Sequence, residues 1–156
     1  MATTKTASKT AEISKTASYD GFTEAERSAM KERAKELKVR GAKGPKVDPE
    51  LDVLAKIAEM NESDRAIAEK IHALVKANAP VLTAKTWYGM PAYARDGKVV
   101  CHFQPAAKFN TRYAMLGFSD QANLDDGAMW PAYYAITGIT DADEKKLAAL
   151  LQQAVA

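Results

Sequence analysis

The dipeptide Asp96-Gly97 constrains this chain more than any other feature. It lies between two β-rich runs. A two-residue type I′ turn needs positive φ at both central positions, which Asp and Gly adopt at little cost. Such a turn sets a register in which Arg95 faces Lys98, Ala94 faces Val99, Tyr93 faces Val100, Ala92 faces Cys101 and Pro91 faces His102. Side chains alternate along a strand, so Met90, Ala92, Ala94, Val99, Cys101 and Phe103 share an apolar face, read as the core. Pro91, Tyr93, Val100, His102 and Gln104 share a mixed face that either meets solvent or lines a cleft. Cys101 and His102 then point to opposite faces and do not chelate one ion unless a bulge intervenes. Cys101 reads as a small core residue. Upstream, Gly89 and Pro91 interrupt the pattern. Proline offers the ladder no donor, which puts Pro91 on an edge or at the start of its strand. The approach is expected to be kinked, with Trp87 and Tyr88 on a separate short segment and the Met90–Pro91 bond trans.

The rest of the chain falls into helices before the hairpin and more sheet after it. Residues 1–20 are rich in Lys, Thr, Ala and Ser and hold almost no large apolar side chain. Such a segment buries too little surface to offset its ordering entropy and is expected to be a disordered basic tail. Residues 21–46 read as an N-terminal helix and linker. Thr23 and Glu26 form a capping box, Phe22, Ala29, Met30 and Leu37 make a thin apolar stripe, and GAKGPK (41–46) ends the unit. That helix either lies on the domain as an appendage or joins two copies, a homo-oligomer. Residues 47–156 form the main domain. Asp48 caps a helix that has Pro49 at its first position, with Leu51, Leu54 and Ala58 as its inner stripe and Ile57 flanking. Asn61 and Asp64 start a longer helix to about Asn78, whose core face is Ile67, Ile71, Leu74 and Val75. His72 sits at the boundary of that face. After the hairpin, 105–110 is a loop, 112–118 a strand apolar on both faces, and 119–131 a long loop. In that loop Asp120, Asp125 and Asp126 read as turn formers and Trp130 as a core anchor, with a binding loop as the second reading. A last strand (132–138) and a final helix capped by Thr140 follow, the helix with a Leu147, Leu150, Leu151, Ala154 face. Helices, then strands, then a helix indicate an α+β domain with an antiparallel sheet of four to five strands.

Several chemistries are excluded by what the 156 residues lack. One cysteine rules out an intrachain disulfide and a zinc-type cysteine pattern. No apolar run is long enough to span a bilayer, and the N-terminus lacks an apolar signal core; the expected setting is cytoplasmic and bacterial, with no membrane partner. No Walker loop, nucleophile elbow, histidine-rich metal motif or dinucleotide fingerprint occurs. Residues 119–131 fail as a calcium loop, because Ala122 and Leu124 fall at ligand positions and Tyr133 at the closing glutamate. Charge is asymmetric. Residues 1–46 hold eleven Lys/Arg against six Asp/Glu, whereas 47–156 hold eleven against fourteen. The basic segment lacks interleaved aromatics, which ranks nucleic acid low among its partners.

The run Tyr88-Gly89-Met90-Pro91-Ala92-Tyr93, followed by a turn and Gly97-Lys98-Val99-Val100-Cys101-His102-Phe103, resembles the YdhG-like family of small bacterial domains. In that family a Tyr-Gly-Met-Pro motif follows a helix ending in Ala-Pro, here Ala79-Pro80. The resemblance covers about residues 51–155. It implies a frataxin-like α+β core, and some members are labelled iron chaperones. The dense acidic ridge that frataxin-type iron binding uses is broken here by Lys56, Arg65 and Lys70. No family motif assigns catalytic residues.

The first functional reading is therefore a non-enzymatic binding domain that handles iron or a small ligand. Its candidate ligand-binding residues are Trp87, Tyr88, Met90, Tyr93, His102 and Trp130. Its candidate metal donors are Glu59, Glu62, Glu69 and His102. The alternative is an interaction module whose basic N-terminal segment docks on nucleic acid or an acidic protein. An enzyme ranks third, with only His72 and His102 as histidine bases.

Overall fold

The computed structural model of the protein describes residues 21–41 and 48–156. The tail expected at 1–20 and the linker expected after Gly41 lie outside the described residues. The elements run α1 (Glu24–Gly41), α2 (Pro49–Glu59), α3 (Glu62–Asn78), β1 (Thr83–Trp87), β2 (Met90–Arg95), β3 (Lys98–Gln104), a one-turn α4 (Ala106–Phe109), β4 (Ala114–Phe118), β5 (Tyr133–Ile136) and α5 (Asp141–Ala154). The five strands form one antiparallel meander in sequence order. The fold is α+β, with helices at the N-terminal side and a C-terminal helix. No helix among the described residues is long and apolar enough to cross a membrane.

Two hairpins, rather than one, organise the sheet. Asp96 and Gly97 both have positive φ and close the β2–β3 turn as expected. Tyr88 (φ 53°) and Gly89 (φ 72°) close a second tight turn between β1 and β2. Trp87 and Tyr88 are thus not a separate segment; Trp87 ends β1 and pairs with Met90. Pro91 is the second residue of β2, an inner strand, at the strand start that a missing donor tolerates. The Met90–Pro91 bond is trans.

The register of β2 and β3 departs from the simple one. Arg95 pairs with Lys98 and Ala94 with Val99, but a bulge then shifts the ladder so that Tyr93 meets Cys101 and Ala92 meets His102. Val100 is the extra residue. It is buried in the same core cluster as Tyr93, Cys101 and Phe103. The faces are therefore reassigned. Tyr93 belongs to the main core with Phe103, Leu116 and Phe118, whereas Met90, Ala92 and Ala94 are buried outside that cluster, on the opposite face.

Helices α2, α3 and α5 supply the other half of the core. The expected caps are present. The Asp48 side chain accepts from Glu50 N, Asn61 from Asp64 N, and Thr140 and Asp143 form a capping box. In α3 and α5 the expected stripes are buried, with Leu74 and Leu150 only partly so. Helix α2 is rotated from its expected phase: Val53 (0 % exposed) and Ile57 (3 %) point inward, while Leu51 (56 %) and Leu54 (44 %) face out. Both phases of α2 are apolar, so periodicity alone could not separate them. Its rotation is held by bonds from Glu50 to α3 and from Lys56 to α1. In the 119–131 loop Ala122 and Leu124 are the buried anchors, and Trp130 is exposed at 37 %. Substitution decides the α2 phase in solution. Ile57→Ala should cost about 2–5 kcal/mol in urea unfolding, whereas Leu54→Ala should stay within about 0.5 kcal/mol.

Candidate functional site

The residues nominated from sequence separate into three places. Trp87, Tyr88 and His102 gather on one sheet face, with the Trp87 ring 4.9 Å from Tyr88 and 5.0 Å from His102. Met90 lies buried beside Trp87 across the turn. Tyr133 closes the cluster at 6.0 Å from His102. Both rings lean over Gly117, where a Cβ would come within 2.6 Å of His102 Cε1 and 2.5 Å of Tyr133 Cε1. Tyr93 points to the opposite face. Trp130 lines a separate cavity of about 280 Å³ with Asp125, Asp126 and Tyr134.

The nominated metal donors do not form a ligand set. Among the described residues no group of three or more His, Cys, Asp or Glu side chains is placed to hold an ion. Glu59 pairs with Lys56 at 3.6 Å, Glu62 and Glu69 are exposed on α3, and His102 is buried in the sheet, where desolvation holds its imidazole below the usual range. Cys101 lies in the core on the other face, its thiol pushed up to about 12 by burial.

Tyr93 enters a polar network that the sequence did not reveal. Its hydroxyl lies 2.9 Å from His72 Nδ1, and His72 Nε2 lies 2.9 Å from Glu50 Oε1. Lys76 Nζ donates to the same Glu50 oxygen at 2.5 Å. The carboxylate can only accept, so Nε2 carries the hydrogen. In a neutral ring Nδ1 then accepts from the Tyr93 hydroxyl, which burial keeps protonated by pushing its pKa far up. Lys76 and His72 together hold Glu50 below the usual carboxylate range. His72 and Tyr93 line neither of the two cavities. The relay, buried at Tyr93 and His72 and open to solvent at Glu50 and Lys76, ties α2, α3 and β2 together. Tyr93→Phe leaves His72 Nδ1 without its partner and should cost about 1–3 kcal/mol in urea unfolding, with no change in ligand binding.

A further polar site is the junction of α1 with the Tyr88–Gly89 turn. Helix α1 has one buried residue, Ala29, and its Phe22, Met30 and Leu37 stripe is exposed. Its attachment is polar instead. The Glu36 carboxylate accepts from both turn amides, Tyr88 N at 3.2 Å and Gly89 N at 2.9 Å, and from Arg33 at 3.3 Å. Glu32 bridges Lys56 (2.6 Å) and Lys108, and Lys108 also donates to Tyr88 O. Burial works against ionisation of Glu32, but the bonds from Lys108 and Lys56 outweigh it and hold its carboxyl below the usual range. Gly89 is needed here twice over, for its positive φ and because a Cβ would overlap the Glu32 carboxylate and the Lys108 ammonium.

Beside this junction a cleft of about 740 Å³ opens between α1, α2 and the edge strand β1. Arg33 and Arg40 from α1, Lys56 from α2 and Lys85 from β1 line it, with the carboxylates Glu32, Glu36, Asp48 and Asp52 and the apolar Val39, Ala55 and Ala94. Lys85 is half-buried and makes no hydrogen bond or ion pair among the described residues. Burial, then Arg40 and Arg33, press its ammonium below the ordinary lysine range, against the pull of Glu36. Arg40 also has no carboxylate within ion-pair distance among the described residues. The cleft therefore has a lining of mixed charge in which Arg33 and Lys56 are paired with Glu36 and Glu32, while Lys85 and Arg40 have no ion-pair partner among the described residues. Sequence reading missed it because its residues come from α1, α2 and β1. The one local signal was the Thr-Ala-Lys-Thr-Trp alternation of β1.

The α1 attachment should fail on loss of its carboxylates. In a Glu32→Ala/Glu36→Ala variant, amide exchange across 24–41 should speed up about tenfold or more while α3 and β3 keep their protection. Acid should do the same. A carboxylate with a depressed folded value stabilises fully above its unfolded value, near 4.5, and loses that contribution as pH falls through the folded value. The Gly89 amide resonance reports the release.

Comparison of the chain with protein-family models, with curated proteins and with solved structures returned no match.

Proposed function

We propose that this domain is a non-enzymatic binder of a small organic anion, held in the cleft between α1, α2 and β1. The observation that carries this reading is Lys85, a half-buried cation without a carboxylate partner among the described residues, set beside Arg40 in a cavity of about 740 Å³. Placing an unpaired ammonium in a partly desolvated cleft is costly unless something else supplies the negative charge. Cavity volume and mixed lining match small-molecule sites, which are mostly apolar with a few polar groups that orient the ligand. The kinship with the YdhG-like family belongs to the same proposal, since the Tyr88–Pro91 run that carries it forms the turn beside the cleft. Iron handling has less support, because its nominated donors are not gathered into one place.

The test is a thermal and calorimetric titration of the protein with benzoate and phenyl phosphate, with benzamidine as a cationic control of similar shape. Either anion should raise the melting temperature with increasing concentration, as binding to the folded state requires. Benzamidine should not, and Lys85→Met should abolish the effect. Absence of any shift with both anions, or an undiminished shift in Lys85→Met, would overturn the assignment.

A further inference from the structure

We propose that the outer edge of β1 and the Tyr88–Gly89 turn together form a docking groove for the carboxyl terminus of an extended peptide. In this arrangement the terminal carboxylate replaces Glu36 on the two turn amides. The inference rests on the anion-binding reading of the adjoining cleft and names the class of ligand that fills it.

The seat for a carboxylate is already built, and a carboxylate occupies it. Two consecutive amides of a positive-φ turn converge on the Glu36 oxygens at 3.2 and 2.9 Å, one oxygen to each amide. Consecutive backbone N–H groups of this kind make an anion-binding concavity, and free carboxyl termini are captured in such backbone nests. Arg33 approaches both the carboxylate, at 3.3 Å, and the Tyr88 ring, at 5.7 Å. Glu36 thus serves as an intramolecular stand-in for the group that the turn accepts.

Strand β1 runs straight into that seat. It is an edge strand, paired only with β2. Among the described residues no hydrogen bond reaches the outer edge of Thr83–Trp87. An edge strand leaves alternate amides and carbonyls unpaired, and this is the template for adding a further strand. The requirement for both donors and acceptors at strand spacing separates a peptide from a simple anion. A small anion supplies acceptors only, whereas an extended backbone supplies both. Five residues of β1 span about 17 Å, so a segment of four or five residues matches the edge, with its carboxylate at the turn. Lys85 and Arg40, the cations of the groove unpaired among the described residues, favour an acidic side chain beside them, whereas Asp48 and Asp52 on its α2 side disfavour one there; Val39, Ala55 and Ala94 offer apolar contacts.

Helix α1 then acts as a competitor tethered to the site. Its Glu36 carboxylate holds the seat at the high effective concentration of an intramolecular ligand, and of its apolar stripe only Ala29 is buried. A peptide therefore has to displace Glu36, and removing that carboxylate should strengthen peptide binding while weakening α1 docking.

The experiment uses the full chain, immobilised, and two biotinylated hexapeptide pools randomised at every position. One pool ends in a free carboxylate and the other in a carboxamide; benzoate titration is run alongside. The free-acid pool should be retained about tenfold better than the amide pool. Glu36→Ala should raise its retention about a further tenfold. Glu36→Gln, which keeps side-chain length, should act in the same direction, and circular dichroism verifies that both variants are folded. Equal retention of the two pools, retention of neither, or a fall in retention in both folded Glu36 variants would overturn the inference. If benzoate still binds through Lys85 in those cases, the anion cleft stands without a peptide; if benzoate fails as well, both readings fall.

Discussion

One extra residue in β3 sets the arrangement on which the rest of the molecule depends. The bulge at Val100 brings Tyr93 opposite Cys101, so that Tyr93, Val100, Cys101 and Phe103 all enter the helix-covered core. A tyrosine buried to 1 % exposure needs a partner for its hydroxyl. His72 supplies one, and Glu50 orients His72 in turn. The Tyr93–His72–Glu50–Lys76 line fixes how α2 sits against α3 and the sheet. It explains why Val53 and Ile57, rather than Leu51 and Leu54, face inward. No buried side-chain polar atom among the described residues is left without a partner. The network is therefore satisfied and stiff, the condition under which buried polar groups specify one packing.

The opposite sheet face is held together differently. There Ala92, His102 and Gly117 lie in one row across the strands, with Trp87 and Tyr133 stacked about His102. Helix α1 adds little apolar burial and attaches through Glu32 and Glu36 to lysines and turn amides. Apolar burial falls away only as side chains separate over area, whereas a few charge-assisted bonds can be exchanged one for one with a ligand's oxygens. A stiff core carrying a polar-latched helix over a cleft that holds Lys85 and Arg40, unpaired among the described residues, is a combination suited to binding. The same Glu36 that docks the helix also competes for the site.

Much of the fold was legible in local patterns. The Thr23, Asp48, Asn61 and Thr140 caps, the Ile67–Val75 stripe and the Asp96-Gly97 turn each rest on interactions within a few residues of one another. The misreadings share one cause. In α2 two apolar phases competed, and the choice was made by Glu50 and Lys56 through residues 22 and 24 positions away. In the 119–131 loop Trp130 was expected as the core anchor, but Ala122 and Leu124 are the buried residues and the indole keeps 37 % of its surface exposed. Of the nominated ligand residues, Trp87, Tyr88 and Met90 are neighbours because the β1–β2 hairpin carries them, and His102 joins them from β3 on the same sheet face. Tyr93 is parted from His102 because the bulge at Val100 sets it opposite Cys101, on the other face.

By itself, then, the sequence determined the α+β class, the four longer helices, the caps and the tight turn at Asp96-Gly97, because those depend on backbone propensity and short-range periodicity. Only the tertiary structure decided the bulge register, the Tyr93–His72–Glu50 relay and the cleft that brings Lys85 and Arg40 together. Each of these joins side chains from separate elements, and a single chain without an alignment carries no local trace of which distant charges will meet. Lys85, Arg40 and Glu36 are unremarkable in their own segments. They become a site only when the edge of β1 is laid against α1 and the Tyr88–Gly89 amides are turned towards a carboxylate.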